Sequence, residues 1–297
     1  MKNDFGDDVF EIKDVLKDPG VLECVKSVLR DVLDYLGIPE EKTKEIIGKI
    51  VSAASSYKKL SEYEKETHRL LEEEGVTEII PQKLTSRAEI IFNQIKDFLE
   101  GERVLDIGCG DGKVGELISK MLGLSVDLTD IYEHGHIRDT RLEFKLMPKD
   151  RLPYEKDSCD TSLLITVLHH SEFAAKTFRE AVRVTKPEGK IIVIESVFAP
   201  KPEGSSDAIE RAGPFLKLSP EQHRKANMFF DHFYNRCIHY SEDPKKKVTV
   251  PFNFKTPEGW KVFFEKEGTA QEKIIHLAID QPTVPEYHTL HVLRVKK

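Results

Sequence analysis

The stretch Arg103–Ser119, R-V-L-D-I-G-C-G-D-G-K-V-G-E-L-I-S, constrains the fold more than any other part of the chain. A short apolar run, Val104 and Leu105, ends in Asp106, and glycines follow at alternate positions, Gly108, Gly110 and Gly112. Val114, Leu117 and Ile118 then recur at helical spacing. The pattern predicts strand, glycine loop, helix. Glycine lets the backbone come close to a ligand because no Cβ stands in the way. The helix N-terminus behind the loop offers unpaired N–H groups and a partial positive charge. Such a unit binds a nucleotide-like ligand at the carboxyl end of the strands of an open α/β sheet. Gly110-x-Gly112-x-x-Gly115 also fits the dinucleotide pattern G-x-G-x-x-G, but its first glycine lies well beyond the strand end. D-x-G-x-G-x-G, with the acid inside the strand end, is the tighter description.

Around this unit the chain alternates. Arg87–Leu99, preceded by the capping pair Thr85-Ser86, carries Ile90, Ile91, Ile95 and Phe98 and reads as a helix. A second strand is expected over Leu124–Thr129, ending in Asp130. Asp160–Thr166 reads as a buried parallel strand, Ser171–Val184 as a helix and Lys190–Ser196 as the fifth strand. Thr256–Gly268 opens with a cap-plus-proline signal and is helical; Lys273–Ile279 and Leu290–Val295 are the closing strands. Alternation of this kind implies a parallel sheet with helices on both faces.

Two segments stand outside the alternation. Residues 1–80 read as a three-helix cap: Val21 to Leu36 in the first helix, Glu40–Ala54 in the second, Ser61–Glu74 in the third. The apolar faces of these helices must pack on one another, on the sheet domain or on a second subunit, which would make a homodimer. The cap is either a packing appendage or a lid over the acceptor pocket. Val197–Val250 is an insertion with prolines at its entry and one expected helix, Ser219–Tyr240. Along that helix His232, Arg236, His239 and Tyr240 share a face, while Phe229, Phe230 and Phe233 suit a core.

The chain has 297 residues, a net charge of −7 and 33% charged residues, as expected of a soluble globular protein. The acidic balance argues against a large nucleic-acid footprint. Asn and Gln number five each, a weak sign of a heat-adapted source. Cys24, Cys109, Cys159 and Cys237 are widely spaced, without C-x-x-C, so neither a disulfide framework nor structural zinc is expected. His134-Gly135-His136 lacks a third ligand at a telling spacing and reads as a solvated loop; no metal is expected. No apolar run is long enough to span a membrane, and the acidic N-terminus has no secretory core, which gives a cytoplasmic expectation.

Motif D106-x-G-x-G-x-G resembles motif I of the class I S-adenosylmethionine (SAM)-dependent methyltransferases. Leu146–His170, L-M-P-K-D-R-L-P-Y-E-K-D-S-C-D-T-S-L-L-I-T-V-L-H-H, resembles the corresponding segment of small-molecule methyltransferases of the ubiquinone/menaquinone-biosynthesis type, through Leu152-Pro153-Tyr154, Asp157, Asp160 and Leu168-His169-His170. The resemblance covers about Thr85 to Lys297. It implies a Rossmann-like doubly wound sheet, mostly parallel with an antiparallel last strand, in a domain spanning 81–297. The N-terminal helical cap precedes that domain, and the insertion after strand five (197–250) builds the acceptor pocket. It implies SAM as cofactor and S-adenosylhomocysteine (SAH) as product. Asp106, Gly108, Cys109, Gly110 and Gly112 would bind the cofactor, Asp130 its ribose hydroxyls, and Ile131 or Tyr132 would cover a face of the adenine. Thr166 faces the sulfonium. Pro148 stands where the family has its adenine-binding acid, and proline offers neither side chain nor N–H; adenine recognition then falls to backbone groups of Met147 or Lys149, or to Asp150. His169, His170, His232 and Glu195 are the candidate bases, and Tyr234, Arg236, His239 and Tyr240 the candidate acceptor contacts. The leading expectation is methyl transfer to a small molecule. An RNA or protein methyltransferase, and a non-catalytic nucleotide-binding scaffold, are the alternatives. The acceptor atom, O, N, S or C, is open.

Overall fold

The computed structural model describes residues 11–83, 85–148, 151–243 and 247–296; the side chains of 80–83 and 85–86 are left aside. In chain order the elements are α1 (Ile12–Val15), α2 (Pro19–Tyr35), α3 (Glu40–Ser56), α4 (Leu60–Glu73), α5 (Val76–Lys83), α6 (Thr85–Ile95), β1 (Arg103–Ile107), α7 (Lys113–Leu122), β2 (Ser125–Asp130), β3 (Glu143–Leu146), β4 (Cys159–Ile165), α8 (Ala174–Val184), β5 (Thr185–Ser196), α9 (Ser206–Leu216), α10 (Pro220–His232), α11 (Pro257–Lys266), β6 (Thr269–Ala278) and β7 (His288–Val295). No helix among the described residues is long and apolar enough to cross a membrane, and all four cysteines are free.

The chain divides into two compact units. The larger part of the sheet belongs to Thr85–Ser196, Lys255–Ile275 and Thr289–Lys297. The sheet has seven strands in the order β3-β2-β1-β4-β5-β7-β6. β1 pairs in parallel with β2 and with β4, β2 with β3, and β4 with β5. The connection between β6 and β7 is too short for a crossover, so these two run antiparallel. The core explains why the strands read as continuous apolar runs: Leu163, Leu164, Ile191, Ile192 and Val193 are fully buried, as parallel strands covered on both faces require. Trp260 and Phe264 stack at 5.5 Å, and Phe178 meets Phe264 at 4.8 Å, which docks α11 beside α8.

Several boundaries differ from the sequence expectation. β5 starts earlier than the Lys190–Ser196 strand expected, and Thr185–Gly189 enters it as an irregularity: Cys159 pairs with Thr185, and Thr161 with Lys190. Glu188 there has φ 62°, and a Cβ on Gly189 would stand 2.7 Å from the Asp160 carbonyl oxygen. β3 is short, with no buried residue, and carries no apolar signal to find it by.

The second unit joins the N-terminal helices to Val197–Phe254 and His276–His288. α2 buries Val21, Val25, Val28, Leu29, Val32 and Leu33, the stripe its spacing predicts. Asp18 caps it by accepting from Gly20 and Val21. The single helix expected over Ser219–Tyr240 is instead α10, with a complete capping box at Ser219 and Gln222, followed by a π-helical turn, Phe233–Ile238. α9 precedes it and was hidden by Pro214 within it.

Candidate cofactor and active site

The chain order reverses beside β1: β2 and β3 lie on one side, β4 and β5 on the other. Side chains and backbone at the carboxyl ends of β1, β2 and β4 therefore border one crevice, the switch point where open α/β sheets bind ligands. The glycine loop is pinned there. The N–H groups of Gly108 and Cys109 donate to the Thr129 carbonyl at 2.8 and 3.2 Å. Gly108 has φ +72°, and a Cβ on it would stand 2.6 Å from Val167 Cγ2, so only glycine fits between β1 and the β4 end. Gly115 serves a different need: a Cβ there would lie 2.6 Å from Leu128 Cδ2, so its absence lets α7 lie close on β2.

Asp130 organises the loop as well as ending β2. Its Oδ2 accepts from Gly110 N at 2.9 Å and its Oδ1 from Ile131 N at 2.6 Å. Each oxygen keeps acceptor capacity for a diol. Asp106 is different. It is 2% exposed and forms no hydrogen bond or ion pair with another described residue. Burial, then the charges of Asp130 and Asp111, push its carboxyl up to about 7. Burial also raises Asp130, against the pull of the Gly110 and Ile131 N–H groups. Asp111 is paired with Lys113 Nζ at 3.0 Å. The loop thus presents acid without a matching cation. A pyrophosphate would be repelled here; a ligand carrying positive charge is favoured. Burial and the same two carboxylates raise the Cys109 thiol far above its usual range, so it stays protonated.

On the β2–β3 side, Ile131 is 60% exposed and Leu146 56%, apolar surface at the strand ends that a flat ring would cover. The adenine contacts expected from Met147 need correction. Met147 N donates to the Asp130 carbonyl at 2.7 Å, and the Pro148 carbonyl accepts from Arg151 N at 3.1 Å. Both groups hold the loop rather than facing a ligand. Lys149 and Asp150 lie outside the described residues.

On the β4 side, Thr166 takes a left-handed conformation, φ 56°, unusual for a β-branched residue. Its N–H donates to Ile194 O at 2.7 Å, and its hydroxyl accepts from Arg87 Nη2 at 3.1 Å. The following turn, Leu168–His170, is built on Glu195. That carboxylate is fully buried and accepts from the N–H groups of Val167, Leu168 and His169 at 3.1, 2.6 and 3.3 Å. It also meets His169 Nδ1 at 2.6 Å. Glu195 is therefore a positioning group, where the sequence offered it as a base. The pairing places the proton of neutral His169 on Nδ1. The His170 ring lies 3.9 Å from that of His169.

In the second unit the sequence-predicted stripe meets an unforeseen partner. His232 Nε2 lies 3.1 Å from Glu64 Oε1, Arg236 Nη2 3.0 Å from the same oxygen, and Lys247 Nζ 3.8 Å from Oε2. Glu64, on α4, is 1% exposed, and these cations hold its carboxyl below the usual range despite burial. His232 and Arg236 are thus framework, bound to a buried carboxylate, where the sequence offered a base and an acceptor contact. Tyr234 is buried and packs edge-on against His239 at 4.9 Å; Tyr240 lies 5.1 Å from the His68 ring. The sequence carries no signal for Glu64 as partner, since it lies on a polar helix far back in the chain. Arg87 was likewise unread, one cation among many on a helix surface.

This sheet order, with a glycine loop at the switch point and acids ending both β1 and β2, defines the class I methyltransferase fold. Residues 105–193 match the family described as methyltransferase domain. The chain is 29% identical over 122 residues to 27-O-demethylrifamycin SV methyltransferase of Amycolatopsis mediterranei, covering 37% of this chain and 44% of that one. It is 28% identical over 111 residues to methyltransferase GfsG of Streptomyces halstedii, covering 34% and 40%. The chain thus spans less than half the length of the curated relatives it matches. Among solved structures, a complex of the Haloferax volcanii Trm112 methyltransferase activator with a methyltransferase aligns at TM-score 0.50 and 12% identity, over 77% of this chain and 98% of that one, a likeness of fold.

Proposed function

We propose that the chain transfers the methyl group of SAM to a small-molecule acceptor and releases SAH. The observation that carries this reading is Asp106: a buried carboxylate without a cation partner, in a glycine loop, beside a second acid ending β2. SAM matches that set with an ammonium, a sulfonium and a ribose diol; NAD would bring phosphates to it. The names of the relatives, among them a rifamycin methyltransferase, support a small-molecule acceptor. The net charge of −7 argues against nucleic acid.

When bound, SAM supplies an activated methyl whose S–C bond electrons return to sulfur as the acceptor lone pair forms the new bond. The chain supplies position. Asp106 holds the ammonium, Asp130 the ribose, Ile131 and Leu146 the adenine face. The turn Thr166–His170, held rigid on Glu195, would help to position the acceptor. Where the acceptor keeps its proton at neutral pH, His169 takes it, with Glu195 stabilising the imidazolium that forms; His170 is the neighbouring second candidate.

Calorimetric titration with SAM, SAH and NAD tests the cofactor. SAM and SAH should bind in roughly the micromolar range, NAD should not, and Asp130→Ala should weaken SAM by about tenfold or more. NAD binding in place of SAM, or no SAM binding, would overturn the reading.

A further inference from the structure

Lys255 is a half-buried cation held on ring faces. It stands immediately before Thr256, the residue that caps α11. Its Nζ lies 5.2 Å from the ring centre of Trp260 and 5.5 Å from that of Phe263, both on α11. Aromatic faces attract an ammonium but offer its three N–H groups no acceptor. Those donors bond no described residue, and no carboxylate of a described residue pairs with them. Lys261, on the same helix, does pair, with Glu258 at 3.4 Å. The stem of Lys255 is fixed as well: a Cβ on Gly259 would stand 3.3 Å from Lys255 Cβ, so the first turn of α11 lies close against it.

The rings place this lysine at one end of the crevice. Trp260 is fully buried, and its Nε1–H donates to the Ser196 carbonyl at 3.3 Å. Ser196 ends β5, next to Glu195. Lys255 is therefore anchored at the carboxyl end of β5, beside the carboxylate that builds the Leu168–His170 turn. Burial lowers the pKa of its ammonium, and the charge of Glu195 works against that. Glu195 is not its partner, because three N–H groups and His169 already hold that carboxylate. In the cofactor reading, on which this inference rests, ribose lies on Asp130 at the end of β2 and adenine toward β3. The sheet order β3-β2-β1-β4-β5 then leaves the β5 end of the crevice to the acceptor. A cation at that end, without an anion of its own, asks for one from the acceptor.

We propose that Lys255 is an anion subsite for the methyl acceptor, its ammonium binding a carboxylate carried by that molecule. The chain would thereby favour carboxylate-bearing acceptors over their neutral amides. One ammonium is a single point charge and matches a monoanion.

Trp260 is the one tryptophan of the chain, so its emission reports on the group lying over it. The full chain, saturated with SAH, is titrated at constant ionic strength with cyclohexanecarboxylate, with cyclohexanecarboxamide and with chloride, none of which absorbs where tryptophan is excited. The carboxylate should change Trp260 emission saturably with a Kd in the millimolar range, and the amide should bind about tenfold more weakly or worse. Lys255→Met should weaken the carboxylate by about tenfold or more and change SAH binding by less than about twofold. Lys255→Arg, which keeps the charge, should hold the carboxylate within about threefold. If Lys255→Met does not fold, the comparison of carboxylate with amide on the wild type still decides. No response to the carboxylate, an equal response to the amide or to chloride, or unchanged carboxylate binding in Lys255→Met would overturn the assignment. Failure of the wild type to bind SAH would instead overturn the cofactor reading, and the same titrations without SAH would still test the anion subsite.

Discussion

Asp106→Asn should make the protein more stable and less able to bind its cofactor. The Asp106 carboxyl rises from 3.8 to about 7 in the folded chain, through burial and then through Asp130 and Asp111. Below the unfolded value both states are protonated and the group costs nothing. As pH rises the unfolded chain ionises first and gains stability, until the folded carboxyl also ionises near pH 7. A shift of about three units at 1.36 kcal/mol each withholds about 4 kcal/mol of folding free energy at neutral pH. Asparagine has the same shape and no charge, so removing the penalty should return about 2–4 kcal/mol, the lower end allowing for a buried amide N–H₂. For a chain of this size that is a rise of roughly 5–10 °C in the melting midpoint at pH 7.5. At pH 4 the gain should nearly vanish, since wild-type Asp106 is then protonated. Calorimetry should show SAM affinity falling about 10- to 100-fold, and wild-type binding should release protons near pH 7 as the ammonium pulls the Asp106 pKa down. A variant no more stable than wild type at pH 7.5, or one whose gain is the same at pH 4, would refute the account of Asp106 as a strained, cation-seeking acid.

The remaining predictions concern single buried groups. Glu195→Gln puts an amide where three N–H donors and His169 Nδ1 converge, so it should cost about 2–4 kcal/mol in urea denaturation and lower methyl transfer to any acceptor that needs a base. Unchanged stability would show that the turn does not depend on it. His223 is held neutral by burial, its pKa lowered from 6.5 to about 4. A depressed base contributes stability above 6.5 that is lost as pH falls toward 4, up to about 3 kcal/mol. His223→Phe should flatten the stability profile between pH 6.5 and 4, and an unaltered acid limb would exclude it.

How much of this was legible in the sequence depended on range. The glycine loop, Asp106 and Asp130 are local: strand, turn and helix signals lie within a few residues, and the structure keeps the order read from them. β3 escaped because a short strand without a buried side chain has no alternation to detect. The Ser219–Tyr240 helix was found but not its π-helical end, because π geometry follows from tertiary demand rather than residue preference. The hardest features were pairings. Nothing near His232 or Arg236 announces Glu64. Likewise, the separation of 26 positions between His169 and Glu195 hides a contact that turns a candidate base into a positioning group. The same holds for the Met147 N–H, which is already bonded to the Asp130 carbonyl.

The sheet order has a consequence for biosynthesis. β7 lies between β5 and β6, both of which leave the ribosome before it. Until β7 emerges, β5 has an unpaired edge and β6 has no place in the sheet. The nascent protein must therefore wait with an apolar strand edge open to other chains. A ribosome stalled before His288 would hold a sheet of five strands, with its last seam exposed to whatever chaperone or neighbouring polypeptide reaches it first.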